Sequence, residues 1–162
     1  MKYDLYDIVV NLLEERGVTL EDIADLVLFS QKKYYKSLTK EEAIENVKAV
    51  LTKREVQNAI ITGIEIDKLT EKKVISSPLL EILEKDNPLY GIDEILVFSI
   101  VNLYGSIGFT NYGYLDKEKP LILKELDKKQ TGVCNVFLDD LVAAIAAASC
   151  SRIAHNKMED FI

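Results

Sequence analysis

The chain has little of what many catalytic centres are built from. Its 162 residues include one histidine, two cysteines, three prolines and seven glycines. A single histidine excludes a multi-histidine zinc site. It also leaves Ser149 and Ser151 without a nearby base to make either a nucleophile. His155 itself lies in a polar tail and reads as a surface residue. Cys134 and Cys150 form neither a metal-ligand spacing nor a disulfide framework. Both read as reduced, buried thiols, although Cys134 precedes a helix start that could stabilise a thiolate. Positive charge is in deficit, with 20 Lys and Arg against 27 Asp and Glu, a net −7. That balance argues against nucleic acid as a partner and against electrostatic docking on anionic lipid. Residues 1–10 carry Lys2, Asp4 and Asp7 and lack the apolar core of an export signal. No window of 18 or more residues is uniformly apolar, so no membrane span is expected. The expected location is the cytoplasm or the periphery of a membrane.

What the chain does have is helix formers. It is 48% hydrophobic and 29% charged, and extended alternation of β-branched and aromatic residues is scarce. The expectation is an all-α fold: a single multihelical domain over residues 1–162, with central apolar helices surrounded by amphipathic ones. Leu5, Ile8, Val9, Leu12 and Leu13 recur at helical spacing and stop before Gly17, a C-terminal cap. Thr19 opens the next helix. Thr39-Lys40-Glu41-Glu42 and Thr52-Lys53-Arg54-Glu55 read as capping boxes. Thr70 reads as the cap of a short turn. Pro78 stands at a first helical position, and that helix ends near Asp86.

The texture changes after residue 86. The segment from Asn87-Pro88 to Leu103 is apolar nearly all round, as is the one from Val136 to Ala148, which Asn135 would cap. Helices without a polar face belong inside a fold. The glycine-rich stretch Gly105–Gly113 reads as a tight inter-helix turn, with backbone amides for a phosphate as the lesser alternative. Lys119-Pro120 begins an amphipathic helix through Leu126. Residues 1–86 thus form a helical N-terminal half, and residues 87–162 the half that carries the chemistry.

Asp93 and Glu94 lie in the first apolar segment, and Asp139 and Asp140 in the second. An ionised carboxylate is too costly to bury alone. Two of them ~4–5 Å apart repel by roughly 4 kcal/mol at an effective dielectric near 20. A divalent cation relieves this, and an all-oxygen donor set suits Mg²⁺, with Mn²⁺ or Ca²⁺ as alternatives. Helix-dipole stabilisation of first-turn acids, or pairing with Lys119, Lys124 or Arg152, is the structural alternative.

Residues 88–154 resemble the phosphatidylglycerophosphatase A family. The residues that carry the likeness are Asp93-Glu94, Gly108-Phe109, Leu115-Asp116-Lys117-Glu118-Lys119-Pro120, Gly132, and Leu138-Asp139-Asp140-Leu141-Val142-Ala143, in that order. Gly113 stands where the family usually has Arg, and the family's N-terminal Pro-Gly-Thr segment has no counterpart. The chain is more similar to the branch without membrane spans found in Gram-positive bacteria, which includes low-temperature-requirement C proteins. The resemblance implies a multihelical fold and a Mg²⁺-dependent phosphohydrolase acting on phosphatidylglycerol phosphate or a related phosphoester. Asp93, Glu94, Asp139 and Asp140 would hold the metal. Asp116 or Asp140 would serve as general base, and Lys119 would meet the phosphate. The expected partners are a phosphoester, including a lipid head group, and further copies of the chain as a homo-oligomer. The competing expectation is a non-catalytic helical protein that keeps the acids as a metal-binding or regulatory site.

Overall fold

The computed structural model describes residues 4–159, and among these every regular element is helical. The elements are α1 (Leu5–Glu15), α2 (Leu20–Gln31), α3 (Lys40–Leu51), α4 (Arg54–Glu71), α5 (Leu79–Lys85), α6 (Ile92–Val101), α7 (Gly105–Glu118), α8 (Ile122–Leu126) and α9 (Leu138–Glu159). Residues 160–162 of the tail lie outside the described residues, as do residues 1–3.

Local chemistry accounts for most helix ends. The Thr19 hydroxyl accepts from the Asp22 amide while the Asp22 carboxylate accepts from the Thr19 amide, and Thr39 and Glu42 repeat the exchange. Gly17, at φ +77°, closes α1 with its amide on Glu14 and the next amide on Leu13. The second expected capping box does not form. Lys53 takes the N-cap of α4, and the Thr52 hydroxyl donates back to the Ala49 carbonyl instead. Thr70 likewise lies inside α4, donating to Ile66.

One helix holds the fold. From Val136 to Ser151 every residue is buried, and α9 packs against α2, α3, α4, α6, α7 and α8. Ala143, Ala144, Ala146, Ala147 and Ala148 let those neighbours approach closely. Ser149 and Ser151 donate to the Ile145 and Tyr104 carbonyls, so their hydroxyls satisfy backbone rather than face a substrate.

The second expected central helix is not central. On α6 only Val97, Ile100 and Val101 are buried, and Ile92 and Ile95 are more than half exposed. Nor is the glycine stretch a turn. Gly105, at φ +70°, makes the bend, and the residues after it form α7. Gly108 is needed because a Cβ there would stand 3.0 Å from the Val101 carbonyl oxygen. The amphipathic helix expected from Lys119 starts only at Ile122, since Lys119 and Leu121 have positive φ.

The expectation of no membrane-length apolar helix is also corrected. The helical run Ile92–Glu118 reaches a mean hydropathy of 1.4 over its most apolar window, and 22% of that window is buried. Gly, Ser, Thr and Asn interrupt its apolar residues without adding charge. The run nevertheless doubles back. In a straight helix Phe98 and Phe109 would lie about 16 Å apart, yet their rings are 5.3 Å apart. At ~15 and ~21 Å, α6 and α7 are each shorter than a ~30 Å hydrocarbon core.

The hairpin brings the ends of α6 and α7 beside the start of α9, and Gly63 on α4 makes room for the arrangement. A Cβ on Gly63 would lie 2.8 Å from Leu141, 3.0 Å from Phe137 and 3.2 Å from Leu96. Gly63→Ala is therefore expected to lower stability in urea denaturation by about 1–3 kcal/mol. A neutral or stabilising result would show that α4, α6 and α9 are not packed this closely.

Candidate functional site

The start of α9 is anchored from outside its own sequence. Asn135 does not cap it: its side chain accepts from Arg16 and donates to the Leu126 carbonyl. The capping group is Asp67 of α4, fully buried, whose carboxylate accepts from the Phe137 amide at 3.2 Å and the Leu138 amide at 3.0 Å. The Cys134 thiol donates to the same carboxylate at 3.4 Å. Burial, then the Asp67 charge, push that thiol up to about 12, so it is inert. Beside it, the Arg16 guanidinium donates to Glu71 at 2.7 Å and to the Cys134 carbonyl at 2.7 Å. Burial disfavours the Glu71 charge, but Arg16 and the Cys134 amide overcome this and hold its carboxyl below the usual range. Arg16, Asp67 and Glu71 escaped the sequence reading. Their one signal is that Asp67 continues the inward stripe of Ile60, Gly63 and Ile64 along α4.

So held, the first turn of α9 points Asp139 and Asp140 into a cavity of about 240 Å³. Asp93 and Glu94 reach it from the first turn of α6, and Asp116 and Lys119 from the end of α7. All six residues expected from sequence therefore line one cavity. Glu84, Asp86 and Asp127 join them, bringing the carboxylates to eight against the three lysines 119, 128 and 129. Lys128 pairs with Glu125, and Lys129 pairs with Asp86.

Lys119 is the cation at the floor. Its Nζ lies 2.6 Å from Asp139 Oδ2 and 2.8 Å from Asp116 Oδ1. Burial alone would lower the lysine, but Asp139 and Asp116 overcome it and hold the ammonium above the ordinary lysine range. Asp140 instead accepts from the Tyr112 hydroxyl at 3.0 Å. Burial first, and then the Asp139 charge, push the Asp140 carboxyl up to about 8. The same two effects, burial and the adjacent Asp140 charge, raise the Tyr112 hydroxyl well above its ordinary value. Among the described residues, Asp93, Glu94 and Asp140 have no ion-pair partner within 4 Å.

The donor chemistry fits a hard divalent cation, for the eight acids of the lining present oxygen and the one thiol there, Cys134, is engaged by Asp67. Among the described residues no group of three or more Asp, Glu, Cys or His side chains stands close enough together to hold a metal ion by itself. Mg²⁺ does not need one, since it keeps several waters and takes one or two carboxylates together with phosphate oxygens.

A buried helical scaffold thus gathers eight acids and three lysines around one cavity. The chain belongs to the phosphatidylglycerophosphatase A family, which it matches over residues 10–155. It is 64% identical over 144 residues to the uncharacterized protein YutG of Bacillus subtilis, covering 89% of this chain and 87% of the relative. The low temperature requirement C protein of Listeria monocytogenes superposes with a TM-score of 0.94 at 51% identity, over 98% of this chain and 99% of that one. A protein of unknown function from Bacillus stearothermophilus superposes with a TM-score of 0.93 at 59% identity, over 96% and 97%.

Asp67 carries a pH signature. Burial, against the pull of the Phe137 and Leu138 amides, pushes its carboxyl up to about 7 from 3.8. The native state then holds a proton between pH about 4 and 7 that the unfolded chain releases. The Asp67 contribution is full below pH about 4 and is lost as pH rises through about 7. Asp67→Asn cannot titrate. The stability of the wild type relative to this variant, from urea denaturation, should therefore fall by about 2–4 kcal/mol between pH 4 and 8. A difference independent of pH would contradict the buried anchor.

Proposed function

We propose that this chain is a metal-dependent phosphohydrolase that removes phosphate from phosphatidylglycerol phosphate or a closely related phosphomonoester. One observation carries the reading: α6, α7 and α9 bring six chemically apt side chains to a single cavity, on a chain of the phosphatidylglycerophosphatase A family. Asp139 and Asp140, with Asp93 and Glu94 across the cavity, would hold Mg²⁺, or Mn²⁺ or Ca²⁺ in its place. The ion supplies Lewis acidity at the phosphoryl group.

The chain's own residues supply the rest. Lys119 offers a fixed positive charge to phosphate oxygens. Asp116, which Lys119 holds, would take a proton from an attacking water. Tyr112 fixes the orientation of Asp140, and the proton that Asp140 keeps near neutrality in the cation-free cavity would leave when the carboxylate takes the ion. The surplus of carboxylates repels a phosphate until a cation is present, which makes activity strictly dependent on the ion.

The Lys119 bridge favours a second reading. In that reading the ammonium is the site's resident cation, and the cavity is a structural or regulatory element of a non-catalytic protein.

Two measurements separate them. Under the first reading Asp139→Asn abolishes phosphate release from phosphatidylglycerol phosphate while the circular dichroism spectrum is unchanged. Thermal melting with Mg²⁺ at about a hundred times its Kd rises by roughly 5–10 °C, as ~2.7 kcal/mol of ligand stabilisation requires for a chain this size. Under the second reading neither lipid nor soluble phosphoesters turn over and the melting temperature ignores the metal. Lys119→Met is expected to raise KM for the phosphoester at least about tenfold under the first reading, from loss of a charge-assisted contact of ~1.5 kcal/mol or more.

A further inference from the structure

Four apolar side chains stand in solvent beside the acidic cavity. Val133 lines it and is 45% exposed. Leu89, in the loop between the lining residues Asp86 and Asp93, is fully exposed. Ile92 and Leu121, next to the lining residues Asp93 and Lys119, are half exposed. Two of the four are also strained. Leu89 has φ +65° and Leu121 φ +52°, the left-handed region that costs every residue but glycine and that Asn tolerates better than Leu. Neither leucine gains burial in return. The neighbouring Tyr90 ring does turn inward, edge-on to Phe137 at 6.0 Å, so the loop is fixed with its leucine outward. Strain and apolar exposure that the fold does not use mark a surface made for contact.

The cavity decides the occupant. At about 240 Å³ it is smaller than the ~300–1,000 Å³ of a site that encloses a drug-sized ligand. Under the proposed function, on which this step rests, a phosphoester with acyl chains enters by its head group alone, and its chains stay outside. The four side chains come from three separate segments that border the cavity, so a protein seated on them would also close it. A bilayer takes isolated apolar side chains into its fluid interface and supplies the head group from the same surface. Apolar burial rather than charge provides the attraction, as a chain of net charge −7 requires. We infer that Leu89, Ile92, Leu121 and Val133 are an interfacial anchor that seats the opening of the cavity on a lipid bilayer.

Flotation of the full chain with phosphatidylcholine vesicles tests this without reference to turnover. The wild type is expected to float, and equally well in high salt, which screens charge but not apolar contact. Leu89→Asn and Leu121→Asn each weaken binding about tenfold, and the double variant about a hundredfold, from loss of buried leucine side chains. Asparagine suits a positive φ, so the melting temperature holds or rises, which a leucine needed by the fold would not allow. Tyr34→Asn, at an exposed aromatic on a segment that does not line the cavity, leaves flotation unchanged. A wild type that does not float, whether monomeric or self-associated, overturns the inference. So does a double variant that floats like the wild type, binding that high salt abolishes, or flotation lost with Tyr34. Turnover separates the anchor from the reading it rests on. The double variant is expected to hydrolyse a soluble phosphomonoester as the wild type does and to lose rate only on a substrate carried in vesicles. Flotation that depends on the two leucines, with no phosphoester turned over, supports the anchor and overturns the phosphohydrolase. Turnover without flotation overturns the anchor alone.

Discussion

The fold depends on burying one helix whose own first turn is acidic. α9 sits at the centre from Val136 to Ser151, and a helix start buried without partners leaves amides unsatisfied. Asp67 resolves this by reaching across from α4 to the Phe137 and Leu138 amides. The Arg16–Glu71 pair then fixes the loop that leads in. Removing the carboxylate would orphan two buried amides at the point from which every neighbour of α9 takes its position. The anchor therefore links stability to function, because it sets the direction in which the next two residues, Asp139 and Asp140, leave the core.

Those two residues place the cavity in electrostatic conflict. Eight carboxylates face three lysines, and two of the lysines lie at the exposed rim and are partnered there. The conflict is relieved in two ways. Lys119 takes Asp139 and Asp116, and Asp140 keeps a proton near neutrality under the Tyr112 hydroxyl. Both are the kinds of relief a divalent cation would supply instead. A core built only for stability has little reason to gather acids from three helices, since apolar side chains of similar volume are usually as good or better.

Much of this was legible in the sequence, and the misses have physical causes. The helix start at Thr19, the capping box at Thr39 and the glycine stop at Gly17 are local, and local rules found them, although the box read at Thr52 does not form. The acidic pairs stood out because carboxylates in apolar runs violate the hydrophobic pattern, and the family motif order tied them to Asp116 and Lys119. Apolarity all round did not distinguish α6 from α9. The first meets solvent, whereas the second is buried among helices from Val136 to Ser151, and that difference lies in tertiary packing. The glycines after residue 104 suggested a turn, but one positive φ at Gly105 suffices for the bend, and Gly108 serves close packing instead. Asp67 was the costliest omission. Its role is a contact across 70 residues, visible in the chain only as a charge on the inward stripe of α4.

The central claim is that the cavity takes a cation in place of the Lys119 bridge. A crystal grown with Mn²⁺ and measured at the manganese edge tests it most directly. The account predicts an anomalous peak among Asp139, Asp140 and the α6 acids, with the Lys119 ammonium withdrawn from Asp139. A cavity with no such peak, and Lys119 still bound to Asp139 and Asp116 at saturating metal, would contradict it.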